Sequence, residues 1–195
     1  MKIENIVQNE LGELAKEVNA LQSAADCRRK TAEAVTLMRS VSKSGGMLLF
    51  AGNGGSALDA THLALELVGE HREGKVQRRA VSLAADPSLV LAIGNDFGFD
   101  EVFAHQLRAL GKRGDLFLGI STSGNSRNVN RAFETAKEMG LHTVALLGGD
   151  GGKAAGMAQI TIIVPALGAP HSQNLMRPIY HAIWECLAFP DDALE

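Results

Sequence analysis

The sequence has few of the features that mark membrane, secreted or nucleic-acid-binding proteins. It contains no apolar run of about 18 residues and no charged-then-apolar leader at its start, so we expect neither a membrane span nor a signal peptide. Aromatic residues make up 5% of the 195 residues, and the formal net charge is −3. These values disfavour base stacking and a polybasic surface. We therefore predict a cytoplasmic protein that binds neither nucleic acid nor membrane.

Cysteine is also scarce, whereas glycine is plentiful. Cys27 and Cys186 lie in helical patterns far apart in the sequence. We expect them to be buried thiols rather than a disulfide or a pair of metal ligands. Most of the 21 glycines cluster at the ends of predicted strands, where loops must approach ligands closely. The length fits one α/β domain.

Two helices are predicted at the start of the chain, because apolar residues recur at helical spacing over residues 2–22 and 26–43. Neither helix carries a glycine-rich loop or a reactive cluster. Since a helical pair outside a sheet commonly packs against another copy of itself, we expect an oligomer. The predicted organisation is a single domain over residues 1–195, in which residues 1–44 form a helical pair used in oligomerisation.

The remainder of the chain alternates between short apolar strands and helices. Strands are predicted at 47–51, 80–83, 116–120, 143–147 and 160–164. Helices are predicted at 56–70, 87–93, 99–110, 127–139 and 175–187. This alternation predicts an α/β fold, a three-layer α-β-α sandwich with a five-stranded parallel sheet of flavodoxin or Rossmann type. Ligands of such sheets bind beyond the carboxyl ends of the strands.

A turn rich in hydroxyl groups follows the third predicted strand and precedes the helix at 127–139. It contains Ser121, Thr122, Ser123 and Ser126. Backbone N–H groups and the helix dipole favour an anion at such a turn. Because no Lys or Arg lies inside the turn, we predict that hydroxyls and amides hold the phosphate of a small sugar phosphate. The alternative is an ordinary capping turn, although four hydroxyls exceed what one cap needs.

Two further loops contain candidate ligand-binding residues. Residues 52–57 formally match the dinucleotide pattern G-x-G-x-x-G/A. The acid that should follow after about 20 residues is absent, since Asp86 comes about 30 residues later. A turn that places Asn53 and Ser56 against a small polar ligand fits better. The Asn95-Asp96 pair is equally consistent with simple turn chemistry and with ligand binding.

Two helices carry a candidate metal or acid–base site. His62 and Glu66 are four residues apart and share one helix face, which suits a divalent metal or a carboxylate base beside an imidazole. An exposed pair on a solvated face is the alternative. Gln173 and His181, in the last helix, could complete a nitrogen and oxygen site suited to zinc. Pro178 must lie in the first turn of that helix or kink it.

Three segments together resemble the sugar isomerase (SIS) domain family, namely residues 52–56, 94–99 and 114–126. Within that family the chain is most similar to the enzymes that isomerise sedoheptulose 7-phosphate, over nearly its whole length. The resemblance implies conversion of D-sedoheptulose 7-phosphate to D-glycero-D-manno-heptose 7-phosphate through an enediol. It also implies a role in precursor synthesis for lipopolysaccharide-type polysaccharides, and a homotetramer with active sites at subunit interfaces.

The resemblance also implies roles for individual residues. Glu66 would be the catalytic base and His181 the acid. One zinc ion per subunit would be bound by His62, Glu66, Gln173 and His181. The phosphate would be held by Ser121, Thr122, Ser123 and Ser126. The rest of the substrate would contact Asn53, Gly54, Gly55, Ser56, Glu66, Asn95, Asp96 and Gln173.

The chain departs from the family's pattern at several positions near these residues. Asn174 and Met176 replace a Glu and a His, Pro170 and His171 stand where Asp and Arg are frequent, and Glu70 replaces a common Arg. We expect these changes to affect the choice of sugar more than the reaction.

A second hypothesis comes from a different class of protein. The same fold occurs in a non-catalytic tetramer that binds the replication initiator DnaA. Those binding relatives lack the set of His, Glu, Gln and His that this chain retains, which favours the isomerase.

Overall fold

Five strands alternate with seven α-helices in residues 2–166 and 169–194, the part of the chain that the computed structural model describes. The strands are β1 Leu48–Ala51, β2 Ala80–Ser82, β3 Leu116–Ser121, β4 His142–Leu147 and β5 Ile160–Ile163. The helices are α1 Ile3–Ser23, α2 Ala25–Lys43, α3 Gly55–Val68, α4 Pro87–Phe97, α5 Val102–Leu110, α6 Arg127–Met139 and α7 Ala169–Ala188. Short 3-10 helices occupy Phe99–Glu101 and Gly152–Gly156.

The strands form one parallel sheet in the order β2-β1-β3-β4-β5. Every residue of β1 and β3 is buried, as expected for strands covered on both faces. The predicted five-stranded parallel sheet is therefore confirmed. Because β1 and β3 are neighbours, the loops that follow them meet at the carboxyl edge of the sheet.

Successive side chains of each strand point to opposite faces of the sheet, and each face has its own core. Phe50 packs with residues of α2, α3 and α7, including Met38, Leu63 and Tyr180. Phe117 packs on the other face with Phe133 of α6 and with residues of α4 and α5. This arrangement confirms the predicted three-layer sandwich. It also places α3 and α7 in one layer and α6 in the other.

Two helices extend further than the sequence pattern predicts. α4 continues to Phe97, so Asn95 and Asp96 are helical, and Gly98 ends the helix with a φ of 89°. α7 begins at Ala169 rather than near residue 175, so Pro178 lies well inside the helix and not in its first turn. Proline has no N–H group to donate to the preceding helical turn. The longer α7 carries both candidate site residues at its start and middle.

The carboxyl end of α7 is held by two arginines from other elements. Arg39 of α2 donates to the carbonyls of Cys186 at 2.7 Å and Pro190 at 2.7 Å. Arg78, which precedes β2, donates to the carbonyls of Leu187 and Phe189, both at 2.8 Å. Because these bonds satisfy carbonyls that have no partner within the helix, they fix α7 against the rest of the fold.

Apolar side chains remain exposed along α1. They are Ile3, Ile6, Val7, Leu11 and Val18. This exposed stripe is compatible with the oligomerisation predicted for residues 1–44, which stays a prediction. In the part of the chain that the structure describes, no helix combines the length and apolarity needed to cross a membrane.

Candidate functional site

The loop after β1 is held to the start of α6 by a pair of asparagines. Asn53 and Asn128 exchange side-chain amide hydrogen bonds of 2.7 and 2.8 Å. Gly54 has φ 54° and ψ −121°, a conformation that side chains other than glycine rarely adopt. The amide of Asn53 is therefore already engaged by the protein. Nothing in the spacing of the sequence indicates Asn128 as its partner.

The hydroxyl-rich turn after β3 has one buried hydroxyl and three that are more open. The Ser121 hydroxyl is buried, accepts the N–H of Gly124 at 3.0 Å and lies 3.2 Å from the Ser126 hydroxyl. Ser123 is exposed, and Thr122 and Ser126 are partly exposed. Ser126 is the N-cap residue of α6, yet within the described chain its side chain accepts no capping bond. Ser121 therefore shapes the turn, and the other hydroxyls lie in the segment that leads into a helix N-terminus suited to an anion.

The start of α7 packs onto glycines at the carboxyl edge of the sheet. A methyl carbon added to Gly55, the first residue of α3, would lie 1.9 Å from Nε2 of Gln173. One added to Gly148, which follows β4, would lie 2.2 Å from Oγ of Ser172. Only glycine permits these approaches. The structure thus brings Gln173 to the N-terminus of the helix that carries His62 and Glu66.

The predicted acid–base residues lie together where α3 faces α7. Nε2 of His62 and Oε1 of Glu66 are 2.9 Å apart, and each side chain is about 30% exposed (31% and 29%). The ring centroids of His62 and His181 are 5.2 Å apart. The pair on α3 therefore packs against α7 and is not confined to a solvated face.

The environment of His181 suits a neutral imidazole. Its Nε2 is buried and has no hydrogen-bond partner within the described residues. Burial, followed by the neighbouring His62, lowers the pKa of His181 from its ordinary value. Neutral imidazole is the form that binds metals, so an orphaned ring nitrogen beside a second imidazole and a carboxylate fits a zinc donor set. As the side chains stand, no group of three or more His, Cys, Asp and Glu in the described residues could hold a metal ion.

Asp59 and Tyr180 form an outer layer around His62 that the sequence analysis missed. The Tyr180 hydroxyl lies 3.5 Å from Nδ1 of His62 and accepts Nε–H of Arg177 at 3.1 Å. Asp59 is buried, and burial raises the pKa of its carboxyl. Outer partners of this kind orient ligating imidazoles. Helical spacing was the available signal, because Asp59 precedes His62 by three residues and Tyr180 adjoins His181.

The remaining predicted pair lies apart from this cluster. Asn95 and Asp96 are exposed on the last turn of α4, where their side chains share a hydrogen bond of 2.8 Å. Their described hydrogen bonds do not reach the hydroxyl-rich turn or the histidines. Phe97 and Phe99 beside them are each 59% exposed. Within one chain, this corner is an open, partly apolar surface.

Removing two open hydroxyls tests the phosphate assignment. We expect Ser123→Ala combined with Ser126→Ala to raise KM for a sugar phosphate about tenfold or more and to change kcat less, since each charge-assisted hydrogen bond contributes roughly 1.5–3 kcal/mol. Steady-state kinetics would measure both constants. Ser23→Ala is the matched control, because the exposed Ser23 hydroxyl donates to the carbonyl of Asn19 in α1 and lies outside the hydroxyl-rich turn. An unchanged KM in the double variant would contradict the assignment of phosphate binding to these hydroxyls.

The chain is similar to known proteins over most of its length. Residues 13–148 match the SIS domain family. The phosphoheptose isomerase of Helicobacter pylori (strain P12) is 38% identical over 185 residues, which cover 95% of each chain. That of Enterobacter sp. (strain 638) is 42% identical over 182 residues, which cover 92% of this chain and 94% of the relative.

Solved structures show the same similarity. The structure of phosphoheptose isomerase GmhA from Neisseria gonorrhoeae superposes with a TM-score of 0.88 at 38% identity, covering 95% of this chain and 98% of that one. A phosphoheptose isomerase from Francisella tularensis gives a TM-score of 0.91 at 28% identity, covering 96% and 99%.

Proposed function

Because this chain belongs to the SIS domain family, we propose that it is an aldose–ketose isomerase that converts D-sedoheptulose 7-phosphate to D-glycero-D-manno-heptose 7-phosphate. The observation that carries the proposal is the meeting of His62, Glu66 and His181 where α3 faces α7. Helix α3, which carries His62 and Glu66, starts from the same edge of the sheet as the hydroxyl-rich turn. A proton-transfer site and an anion site at one sheet edge suit a phosphorylated sugar.

The reaction moves a proton from C1 to C2 through a cis-enediol. Glu66 is the base that removes the proton from C1, since a carboxylate placed beside the reacting carbon can serve this role. One of its oxygens, Oε1, bonds to His62, which leaves Oε2 for the substrate. His181 moves protons between the two substrate oxygens. A donor at the developing enediolate stabilises its charge, and this term is usually large.

The phosphate site lies at the far end of the substrate from the reacting carbons. Its binding energy therefore orients the sugar rather than taking part in bond breaking. Thr122, Ser123 and Ser126 supply open hydroxyls, and the N-terminus of α6 supplies a favourable dipole. Because this phosphate site contains little fixed positive charge, the phosphorylated product can leave.

We also propose one zinc ion per subunit, for which His62, Glu66, Gln173 and His181 would be the ligands. The support is the chemistry of the donors and the orphaned Nε2 of His181. When bound, zinc would act as a Lewis acid toward the substrate oxygens. The placement of Gln173 against Gly55 brings its amide to the helix that carries two of the other ligands.

The proposed enzyme is a cytoplasmic homotetramer whose active sites lie at subunit interfaces. Its product would enter heptose nucleotide synthesis for lipopolysaccharide-type polysaccharides. The exposed apolar stripe of α1 and the exposed Phe97 and Phe99 support burial against other copies. A neighbouring chain at this corner would bring Asn95 and Asp96 into a shared site. The curated relatives described above are named as isomerases, so they lend no support to binding of the replication initiator DnaA.

The deciding experiment supplies sedoheptulose 7-phosphate to the purified protein in deuterated water, with and without added zinc, and follows products by NMR and mass spectrometry. We expect zinc-stimulated formation of the aldose with solvent deuterium at C2. Product without deuterium also supports isomerisation, through a shielded proton transfer. Saturable binding without turnover would contradict the proposal for this substrate.

A further inference from the structure

Trp184 lies beside His181 on α7, three residues further along the helix. It is the only tryptophan of the sequence, and the proposed chemistry does not use it. The ring centroids of Trp184 and His181 are 6.1 Å apart with an interplanar angle of 68°. This is the edge-to-face geometry that aromatic rings prefer. Trp184 therefore forms one wall of the space that the His181 ring occupies.

The orientation of His181 depends on such walls. Ligating and proton-transferring imidazoles are commonly fixed by a hydrogen bond at one ring nitrogen. Here Nε2 is buried without a partner among the described residues. The ring packs instead against His62 at 5.2 Å, Tyr180 at 4.9 Å and Trp184 at 6.1 Å between centroids. These three ring contacts therefore hold the imidazole of His181 in place.

Arg72 stacks on the ring of Trp184. The guanidinium carbon lies 4.5 Å from the centroid of the tryptophan ring, within the range of a cation–π interaction. The guanidinium is itself fixed at both ends, because Nη2 lies 2.6 Å from Oε2 of Glu70 and Nη1 lies 2.7 Å from Oε2 of Glu185. Lys75 bonds to the other oxygen of Glu185 at 2.9 Å.

Glu70 is the buried end of this network. Its side chain is 2% exposed and also accepts the backbone N–H groups of His71 and Arg72, each at 3.0 Å. The hydrogen bonds from Arg72 lower the pKa of Glu70 to about 2, so the carboxylate stays charged at neutral pH. Since the guanidinium of Arg72 is already paired with two carboxylates, it is a clamp for Trp184 rather than a free anion-binding group.

We propose that Trp184, clamped by Arg72, is a positioning residue that fixes the ring of His181 for proton transfer. The proposal rests on the proposed function, in which His181 moves protons between substrate oxygens. A misplacement of about 1 Å can cost roughly 100-fold in rate. Loss of the wall therefore acts on turnover, whereas the phosphate grip on the substrate is unaffected.

The kinetic test compares Trp184→Ala, Trp184→Leu and Trp184→Phe in the full-length protein. We expect Trp184→Ala to lower kcat about 10–100-fold with KM within about threefold, and Trp184→Phe to recover most of the loss because it restores an aromatic wall. Trp184→Leu keeps an apolar side chain larger than that of alanine, although smaller than indole, and serves if the alanine variant does not fold. An unchanged kcat, or a raised KM with normal kcat, would overturn the proposal.

Phe189→Ala is the matched control for this series. Phe189 carries a similar cation stack, with Nζ of Lys75 lying 3.0 Å from its ring centroid. It follows the end of α7, two helical turns beyond His181. We expect kcat of Phe189→Ala to stay within about threefold of the wild type, since the ring of His181 keeps its walls.

A second measurement does not depend on isomerase activity. Because Trp184 is the sole tryptophan, its fluorescence reports the clamp directly. We expect Arg72→Ala to shift the emission to longer wavelength and to lower its anisotropy, and Arg72→Lys to do so less. Unchanged fluorescence in Arg72→Ala would overturn the proposal that Arg72 holds Trp184 in place. A wild-type protein with an immobile Trp184 but no isomerisation would instead refute the proposed function and its positioning role, while leaving the clamp itself intact.

Discussion

Glu66→Gln is expected to lower turnover of sedoheptulose 7-phosphate at least about 1000-fold, within the range that a general base contributes. Glutamine keeps the size of the side chain and can still hydrogen-bond to His62, but it cannot accept the proton of C1. Substrate binding should remain largely intact, because the proposed phosphate site lies in the turn after β3 and not on α3. NMR assays would measure kcat, and calorimetry would measure the affinity of the substrate.

The control for this variant is Glu13→Gln. Glu13 is exposed on α1 and pairs with Lys16 at 2.7 Å, so its charge is removed without touching the site. Exchange of the C1 proton with solvent should also vanish in Glu66→Gln. If binding were lost while the remaining complex reacted at full rate, Glu66 would be a binding group and not the base.

Gly55→Ala is expected to lower activity about 10–100-fold, which is the usual cost of disturbing the surroundings of a metal site. The new methyl carbon would lie 1.9 Å from Nε2 of Gln173, so that side chain must move. The atoms that clash are the far end of a flexible side chain, and the fold should survive. Zinc affinity should fall together with activity, as measured by competition with a chelator.

Two comparisons make the Gly55→Ala result specific. Gly156→Ala adds a methyl group at the end of the 3-10 helix before β5, where nothing lies within 4 Å of the new carbon, and it should leave activity unchanged. Gly55→Ala combined with Gln173→Ala should be no worse than Gln173→Ala alone, because both changes remove the same interaction. Full activity and normal zinc affinity in Gly55→Ala would show that the amide of Gln173 is not needed.

Local sequence patterns predict most of the fold. The helix at 127–139 was predicted with the bounds that α6 has, because its apolar residues are periodic and Gly140 stops it. The predicted start of α7, near residue 175, is too late, since the helix begins at Ala169. Proline is tolerated in the first turn of a helix, and packing of α7 against α3 and the sheet outweighs the bond lost at Pro178.

In the candidate site, too, local spacing predicts some features, whereas others depend on packing between distant segments. The pair His62 and Glu66 follows from a spacing of four residues on one helix. Its approach to His181 depends on how α3 packs against α7, which helical spacing does not specify. The resemblance to a family supplied that pairing. The Arg72 and Trp184 contacts join segments more than 100 residues apart in the sequence, and neither local pattern nor resemblance indicated them.

The two separate cores of the fold have a consequence for substrate selection. The anion site belongs to α6 on one face of the sheet, whereas the proton-transfer residues belong to α3 and α7 on the other. In the proposed function a bound sugar phosphate spans the sheet edge and bridges these two layers. The enzyme would then select its substrate by the distance between the phosphate and the carbonyl carbon. A shorter sugar held by its phosphate would leave its carbonyl carbon short of Glu66, so chain length would be discriminated without a contact to each carbon.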